Sequence, residues 1–109
     1  MLLFKPEHVA LILGGRKTQT RRLWPKGARV KVGSIHQCRT RMLDKSSTFT
    51  RVEVLRVWQE RLLDISGNDA RAEGYGGRVG YVEAFNRINK TNAHYDNPLV
   101  WAVAFRLAP

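Results

Sequence analysis

Two glycines that predict a turn are followed by many polar side chains in the stretch Gly14-Gly15-Arg16-Lys17-Thr18-Gln19-Thr20-Arg21-Arg22. It follows the apolar run Val9–Leu13, turns on two glycines and then presents four cations, two hydroxyls and an amide. Glycine allows positive φ angles and close backbone approach, so such a turn exposes the groups that follow it. Arginine offers planar forks to phosphate or carboxylate, and lysine a charge whose pKa can be tuned. The stretch is therefore either a helix cap followed by a solvated basic strand, or a loop that binds polyanions or performs catalysis.

Charge is distributed unevenly along the 109 residues, whose formal net charge is +10. Residues 1–61 contain 14 Lys or Arg against four acids, whereas residues 62–109 contain five of each sign. A basic half beside a neutral half is typical of nucleic-acid-binding proteins, because it forms a positive surface for phosphates. The alternative is a protein that is merely cationic and soluble.

Cysteine content and hydropathy exclude several classes of protein. The single cysteine, Cys38, cannot form an intrachain disulfide and fits a reducing compartment. The apolar run Val9–Leu13 is too short, and its upstream flank too charged, for a signal peptide or a membrane span. We expect one cytoplasmic domain over residues 1–109, without membrane contact and without a cofactor.

Hydrophobic periodicity predicts an α+β fold in which short strands alternate with about three helices. A helix should precede Gly14, a second should begin at the cap Ser66 with Asp69 three residues later, and a third should bury one face that includes Tyr81. The strands are expected at residues 2–4, 17–23, 34–42, 49–58 and 99–107, with a bulge where the alternation breaks near Val54. Residues 92–98 are predicted to be a loop. The elements together predict a small mixed sheet or β-barrel flanked by helices.

Two familiar kinds of site do not fit the sequence. Residues 15–18 resemble the end of a phosphate-binding P-loop, but no earlier glycine has the required spacing and the segment follows a helix. His36 and Cys38 could share one face of a strand, but His8 and His94 have no ligand spacing with them or with each other. We expect no metal site, and the pair of His36 and Cys38 lacks the third group that would orient a catalytic base.

The remaining candidates for chemistry are Lys17, Thr18, Thr20 and Glu73. A hydroxyl nucleophile needs a nearby base, and lysine serves once its proton affinity falls. The neighbouring arginines should lower the pKa of Lys17 by repulsion, whereas a close Glu73 should raise it. Strict strand alternation would place Lys17 and Thr20 on opposite faces, so their cooperation requires a bulge or a turn.

The stretch Gly15-Arg16-Lys17-Thr18-Gln19-Thr20-Arg21 resembles the first seven positions of the GRKTxTxR signature of ASCH proteins (activating signal cointegrator homology), which are relatives of the PUA fold. The apolar lead at residues 62–65 into residues 70–75 is similar to the family pattern as well, as is a helix followed by a terminal strand of aliphatic and aromatic residues. This resemblance extends over essentially the whole chain. It implies a small PUA-like β-barrel flanked by helices, with a cleft between the motif loop and the helix that carries Glu73.

The resemblance also implies functions. ASCH proteins are associated with RNA binding, one branch hydrolyses N(4)-acetylcytidine to cytidine and acetate, and another member is a ribonuclease. The Lys, Thr and Glu proposed as catalytic in the hydrolase branch fall here on Lys17, Thr20 and Glu73. In such a reaction, we expect Arg21 or the backbone amides after Gly15 to hold the oxyanion.

The competing hypothesis is a module that binds single-stranded RNA without catalysis. Arginines near the motif would contact phosphates, and Trp24 and Tyr75 would stack on bases, although Trp24 also fits a core position. The residues predicted to bind RNA are Arg16, Thr18, Arg21, Arg22, Trp24, Arg39, Arg41 and Tyr75. The sequence leaves open whether the partner is RNA or a modified nucleoside.

Overall fold

The computed structural model describes all 109 residues and contains one mixed five-stranded sheet in the order β1-β3-β4-β5-β2. The short edge strand β1 pairs parallel to β3, and every other pair is antiparallel. The sheet curves into a half-barrel, which confirms the predicted α+β fold class. The strands are β1 (Leu2–Leu3), β2 (Gln19–Arg22), β3 (Ile35–Arg39), β4 (Thr48–Arg61) and β5 (Leu99–Leu107).

Four α-helices accompany the sheet, one more than the sequence predicted: α1 (Val9–Leu13), α2 (Gly67–Ala72), α3 (Arg78–Asn89) and α4 (Ala93–Asp96). The additional helix, α4, lies in the segment that was expected to be a loop. Its four residues are too few to show helical periodicity, and its first N–H is bonded to the side chain of Asn86, 2.8 Å away. No helix is both long enough and apolar enough to cross a bilayer.

The two longest strands, β4 and β5, form the centre of the sheet and separate two cores. A register shift between Val54 and Arg56 confirms the predicted bulge. Val103 and Phe105 on β5 belong to the core inside the half-barrel, whereas Val100 belongs to the core beneath α2 and α3. Both faces of the last strand are therefore buried, in agreement with its aliphatic and aromatic pattern.

The half-barrel is open between its two edge strands, β1 and β2. A side chain spans this opening: the Arg22 guanidinium of β2 donates a hydrogen bond to the Leu3 carbonyl of β1 at 2.7 Å. The same guanidinium lies over the Phe4 ring, 4.9 Å from its centroid. This opening positions the candidate site.

Candidate functional site

A cavity of about 310 Å³ lies at the opening of the half-barrel, close to the lower end of the 300–1,000 Å³ range that is usual for small-molecule sites. One wall is polar and one wall is aromatic and aliphatic. The polar wall includes Lys17, Thr20, Arg22 and Glu73, and the apolar wall includes Phe4, Tyr75, Tyr81, Phe85 and Ile88.

A turn brings the motif residues to this cavity. Gly15 has a φ of 76°, and the N–H groups of Arg16 and Lys17 both donate to the Leu11 carbonyl. Because β2 begins only at Gln19, Lys17 precedes the strand and escapes its alternation. Lys17 and Thr20 therefore border the same cavity, through the kind of turn that their cooperation requires.

Lys17 is held as a fully hydrogen-bonded ammonium group. Its Nζ donates to Glu73 Oε1 at 2.8 Å, to the Glu73 carbonyl at 2.8 Å and to the Gln19 carbonyl at 3.0 Å. Only 2% of the side chain is exposed. Burial lowers the pKa of Lys17 below its ordinary value, Glu73 opposes this shift, and the charge of Arg22 adds to it.

Arg21 lies on the opposite face of β2 from Thr20 and is enclosed by carboxylates. Its Nε donates to Glu60 at 2.7 Å, its Nη1 to Gln19 at 2.9 Å and to Glu73 Oε2 at 3.0 Å, and its Nη2 to Asp69 at 3.2 Å. None of the side chain is exposed. The donors of Arg21 are therefore occupied and shielded from solvent in this conformation, so it gives no support to the predicted contact of Arg21 with RNA, which stays a prediction.

Thr20 is buried at the wall of the cavity. Its Oγ1 accepts a hydrogen bond from Arg22 Nε at 3.0 Å, and no hydrogen bond joins it directly to Lys17. The predicted nucleophile thus contacts a cation in the resting structure, and the predicted base contacts Glu73.

His8 is a cavity residue that sequence reasoning did not assign to the site. Its Nε2 lies 3.1 Å from the Tyr75 hydroxyl, and the Tyr75 ring packs edge-on against Tyr81 with centroids 5.7 Å apart. Burial, and then the charge of Lys17, lower the pKa of His8. No local motif marks His8, because its partner Tyr75 is 67 residues away in the sequence.

Comparison with solved structures shows that the fold of the chain is a known one. The sequence matches no protein-family model and no curated protein. The chain is similar to an ASCH domain from Lactobacillus crispatus, at 18% identity and a TM-score of 0.70 over 91% of this chain and 69% of that one. The chain has the ASCH fold. It is also similar to protein EF3133 from Enterococcus faecalis (19% identity, TM-score 0.76, 94% of this chain and 67% of that one) and to a mutant ASCH protein from Zymomonas mobilis (13%, 0.65, 96% and 65%).

The ASCH fold separates the other predicted RNA contacts from the cavity. Arg16 and Arg41 are exposed, and Arg39 is half-buried, but none of the three lines the cavity. Trp24 packs against the core inside the half-barrel, so the structure gives it the core position. Thr18 exchanges main-chain hydrogen bonds with α2 and β5. Of the eight residues predicted to bind RNA, only Arg22 and Tyr75 combine exposure with a place on the cavity wall.

Proposed function

We propose that this protein is an ASCH-type amidohydrolase that removes the acyl group from N(4)-acetylcytidine. The observation that carries the proposal is the buried ion pair of Lys17 and Glu73, with Thr20 on the wall of the same small cavity. The motif of residues 15–21 supports the proposal, since it resembles the ASCH signature and has Lys17 and Thr20 where the hydrolase branch of that family has its proposed catalytic Lys and Thr.

The walls of the cavity suit a nucleobase. A cytosine ring is flat and apolar on its faces and carries its hydrogen-bonding groups on its edges. The rings of Tyr81 and Phe85 offer an apolar surface on which such a face packs. The Glu73 carboxylate accepts from Lys17 and Arg21 and keeps lone pairs that can accept a further hydrogen bond from an edge.

The first half of the proposed reaction forms an acyl-enzyme. Thr20 Oγ1 attacks the acyl carbonyl carbon, and the hydroxyl proton passes to the neutral amine of Lys17. Since no hydrogen bond joins these two groups at rest, the proton moves through a water molecule or after a side-chain rotation. The tetrahedral intermediate then expels the exocyclic nitrogen of cytidine, which takes the proton from Lys17.

The second half restores the enzyme. Water attacks the threonine ester and transfers a proton to Lys17. Collapse of the second intermediate releases acetic acid, which ionises to acetate in solution, and Thr20 takes the proton back from Lys17. The net reaction consumes one N(4)-acetylcytidine and one water and yields cytidine and acetic acid. Glu73 accepts a hydrogen bond from Lys17 throughout and so positions it.

The pKa of Lys17 determines the pH dependence. A general base acts in its neutral form, and burial brings the pKa of Lys17 below the ordinary lysine value of 10.5. The rate should therefore rise with pH, with its midpoint below that of a free lysine side chain.

The test is hydrolysis of N(4)-acetylcytidine, followed by separation of the nucleosides. We expect the wild type to release cytidine, and Lys17→Arg and Thr20→Val to lose about 10²–10⁴-fold in kcat, since arginine does not deprotonate in proteins. Arg29→Met is the control, because Arg29 is exposed and makes no hydrogen bond. Full activity in Lys17→Arg would exclude Lys17 as the base, and an inactive wild type would exclude the reaction.

Single-stranded RNA binding without catalysis is the second candidate, supported by the net charge of +10 and its concentration in residues 1–61. A labelled oligonucleotide in the same assay separates the candidates. Binding without release of cytidine favours the RNA module, and shortened RNA favours a ribonuclease.

A further inference from the structure

The proposed reaction needs hydrogen-bond donors for the anionic oxygen of each tetrahedral intermediate. The groups expected from the sequence are not free to supply them. Four N–H groups of Arg21 already donate to side chains. The backbone N–H groups of residues 15–18 all donate to main-chain carbonyls: Gly15 to Ile12, Arg16 and Lys17 to Leu11, and Thr18 to Ala72.

Arg22 lies on the same face of β2 as Thr20, and both residues line the cavity. Arg21 also borders the cavity, but four of its N–H groups already donate to side chains. Of its five N–H groups, one donates from Nε to Thr20 and one from Nη2 to the Leu3 carbonyl. Its Nη1 makes no hydrogen bond. Every buried side-chain nitrogen and oxygen atom in the protein has a hydrogen-bond partner, so Nη1 is not buried. The free Nη1 donors are therefore accessible to solvent, and Arg22 is one of the residues that line the cavity.

The guanidinium of Arg22 is also held in position before any ligand arrives. Two hydrogen bonds, at 3.0 Å and 2.7 Å, fix it between the edge strands, and the Phe4 ring lies against it at 4.9 Å. A fixed cation in a poorly hydrated site stabilises a developing anion more than a mobile one does, because little reorganisation is needed.

We propose that Arg22 is the catalytic residue that binds the oxyanion, and that the same guanidinium binds the carboxylate of the acetate product. This inference rests on the proposed function. The attacking oxygen and the oxyanion are bonded to one carbon, so the oxyanion forms beside Thr20 Oγ1, which Arg22 already contacts. When Oγ1 forms its bond to the acyl carbon, the electron pair of the C=O double bond moves to the carbonyl oxygen, which becomes the oxyanion. The Nε–H of Arg22 then no longer donates to Oγ1. It donates to the oxyanion instead, together with the Nη1–H groups.

The kinetic test compares Arg22→Met and Arg22→Lys with the control Arg29→Met. We expect Arg22→Met to lower kcat by about 10²–10³-fold with little change in KM, because the lost interaction belongs to the transition state. Arg22→Lys retains the charge and the fold but loses the planar fork, so it should restore only part of the rate. Wild-type kcat in Arg22→Met would overturn the assignment, as would a loss seen only in KM.

A second measurement does not depend on turnover. Sodium acetate is titrated into protein labelled with ¹⁵N, and the Arg22 Nε–H signal is followed by NMR. We expect acetate to shift this signal in the wild type. In Arg22→Lys, which lacks the Nε–H group, the titration is followed at the backbone N–H signal of Thr20, and we expect acetate to bind about tenfold more weakly. If the wild type hydrolyses nothing yet acetate shifts the signal, the proposed reaction fails and the anion site stands. If acetate leaves the signal unchanged, the anion site fails.

Discussion

Arg21 and Arg22 are adjacent in the sequence and chemically identical, yet they are in opposite environments. Arg21 donates to Glu60, Asp69 and Glu73, whereas the Nη1 of Arg22 makes no hydrogen bond. The cause is the alternation of β2, which turns successive side chains to opposite faces of the sheet. Only one of two neighbouring arginines is therefore available to a ligand.

Burial lowers the pKa of Lys17 and Glu73 opposes that shift, so the replacement of Glu73 gives a prediction with a definite direction. In Glu73→Gln, the loss of the anion should lower the pKa of Lys17 further, because Glu73 is the group that raises it. The rising limb of the pH–rate profile should then move to lower pH. The position of the limb is measured from kcat/KM for N(4)-acetylcytidine, and the ¹³Cε shift of Lys17 reports the same titration without turnover.

Asp69→Asn is the control for Glu73→Gln, since it also removes a carboxylate from Arg21 but none from Lys17. It should leave the limb in place. If the rising limb of the pH–rate profile of Glu73→Gln stays in place or moves to higher pH, Glu73 does not raise the pKa of Lys17.

The short helix α2 is capped by a residue predicted from the sequence, and it carries two carboxylates that contact the motif residues. Its N-terminus is capped as predicted: Ser66 Oγ accepts from the Asp69 N–H at 3.0 Å. The carboxylate of Asp69 does not complete a capping box but bonds to Gln19 and Arg21 of β2. The cap residues therefore orient α2 toward the motif strand, and Glu73 at the C-cap reaches Lys17.

Gly74 ends α2 at a place where no side chain fits. It has a φ of 104°, and a Cβ there would lie 3.0 Å from Leu11 Cδ1 and 3.7 Å from Lys17 Cβ. We expect Gly74→Ala to lower the free energy of unfolding by about 1–3 kcal/mol, since a non-glycine residue is strained at positive φ. The Leu11 side chain must move by a few tenths of an ångström to admit the Cβ, whereas the distance to Lys17 is an ordinary van der Waals contact.

Gly76→Ala is the matched control for Gly74→Ala, because a Cβ at Gly76 meets nothing within 4 Å and its φ is not in the positive range. Urea unfolding of both variants compares them directly. Equal stabilities would contradict the strain at Gly74.

The net charge of +10 lies mainly on the outer surface of the molecule and not around the cavity. Within the cluster around the motif, Lys17, Arg21 and Arg22 are balanced by Glu60, Asp69 and Glu73. The excess positive charge therefore lies on exposed side chains such as Arg16 and Arg29. We expect this charge to attract polyanions over long distances without contributing to the chemistry of the site.

This separation predicts two different responses to salt. The affinity for single-stranded RNA should fall steeply, with log K decreasing by about 0.7 per log unit of salt for each phosphate contacted. The kcat/KM for neutral N(4)-acetylcytidine should change little. Filter binding and hydrolysis, measured over the same salt series, test this, and parallel declines would show that one surface serves both.

Much of the architecture follows from local patterns. The alternation of residues 99–107 predicts a strand covered on both faces, the phase break near Val54 predicts a bulge, and Ser66 predicts a cap; the structure contains all three. Each depends on residues within a few positions of one another, where propensity and periodicity act. The four-residue α4 was missed because a single turn has no period to detect.

The composition of the cavity depended on contacts between distant residues. The motif and the family resemblance predicted Lys17, Thr20 and Glu73 as catalytic residues. The hydrogen-bond partners of their side chains are defined only in the folded chain. Lys17 meets a carboxylate 56 residues away, His8 meets a tyrosine 67 residues away, and Arg22 meets the opposite edge strand. Local sequence determines which groups are present and on which face of a strand they lie. Only tertiary packing decides which cations are neutralised and which remain free for a ligand, because that depends on where distant carboxylates and carbonyls come to rest.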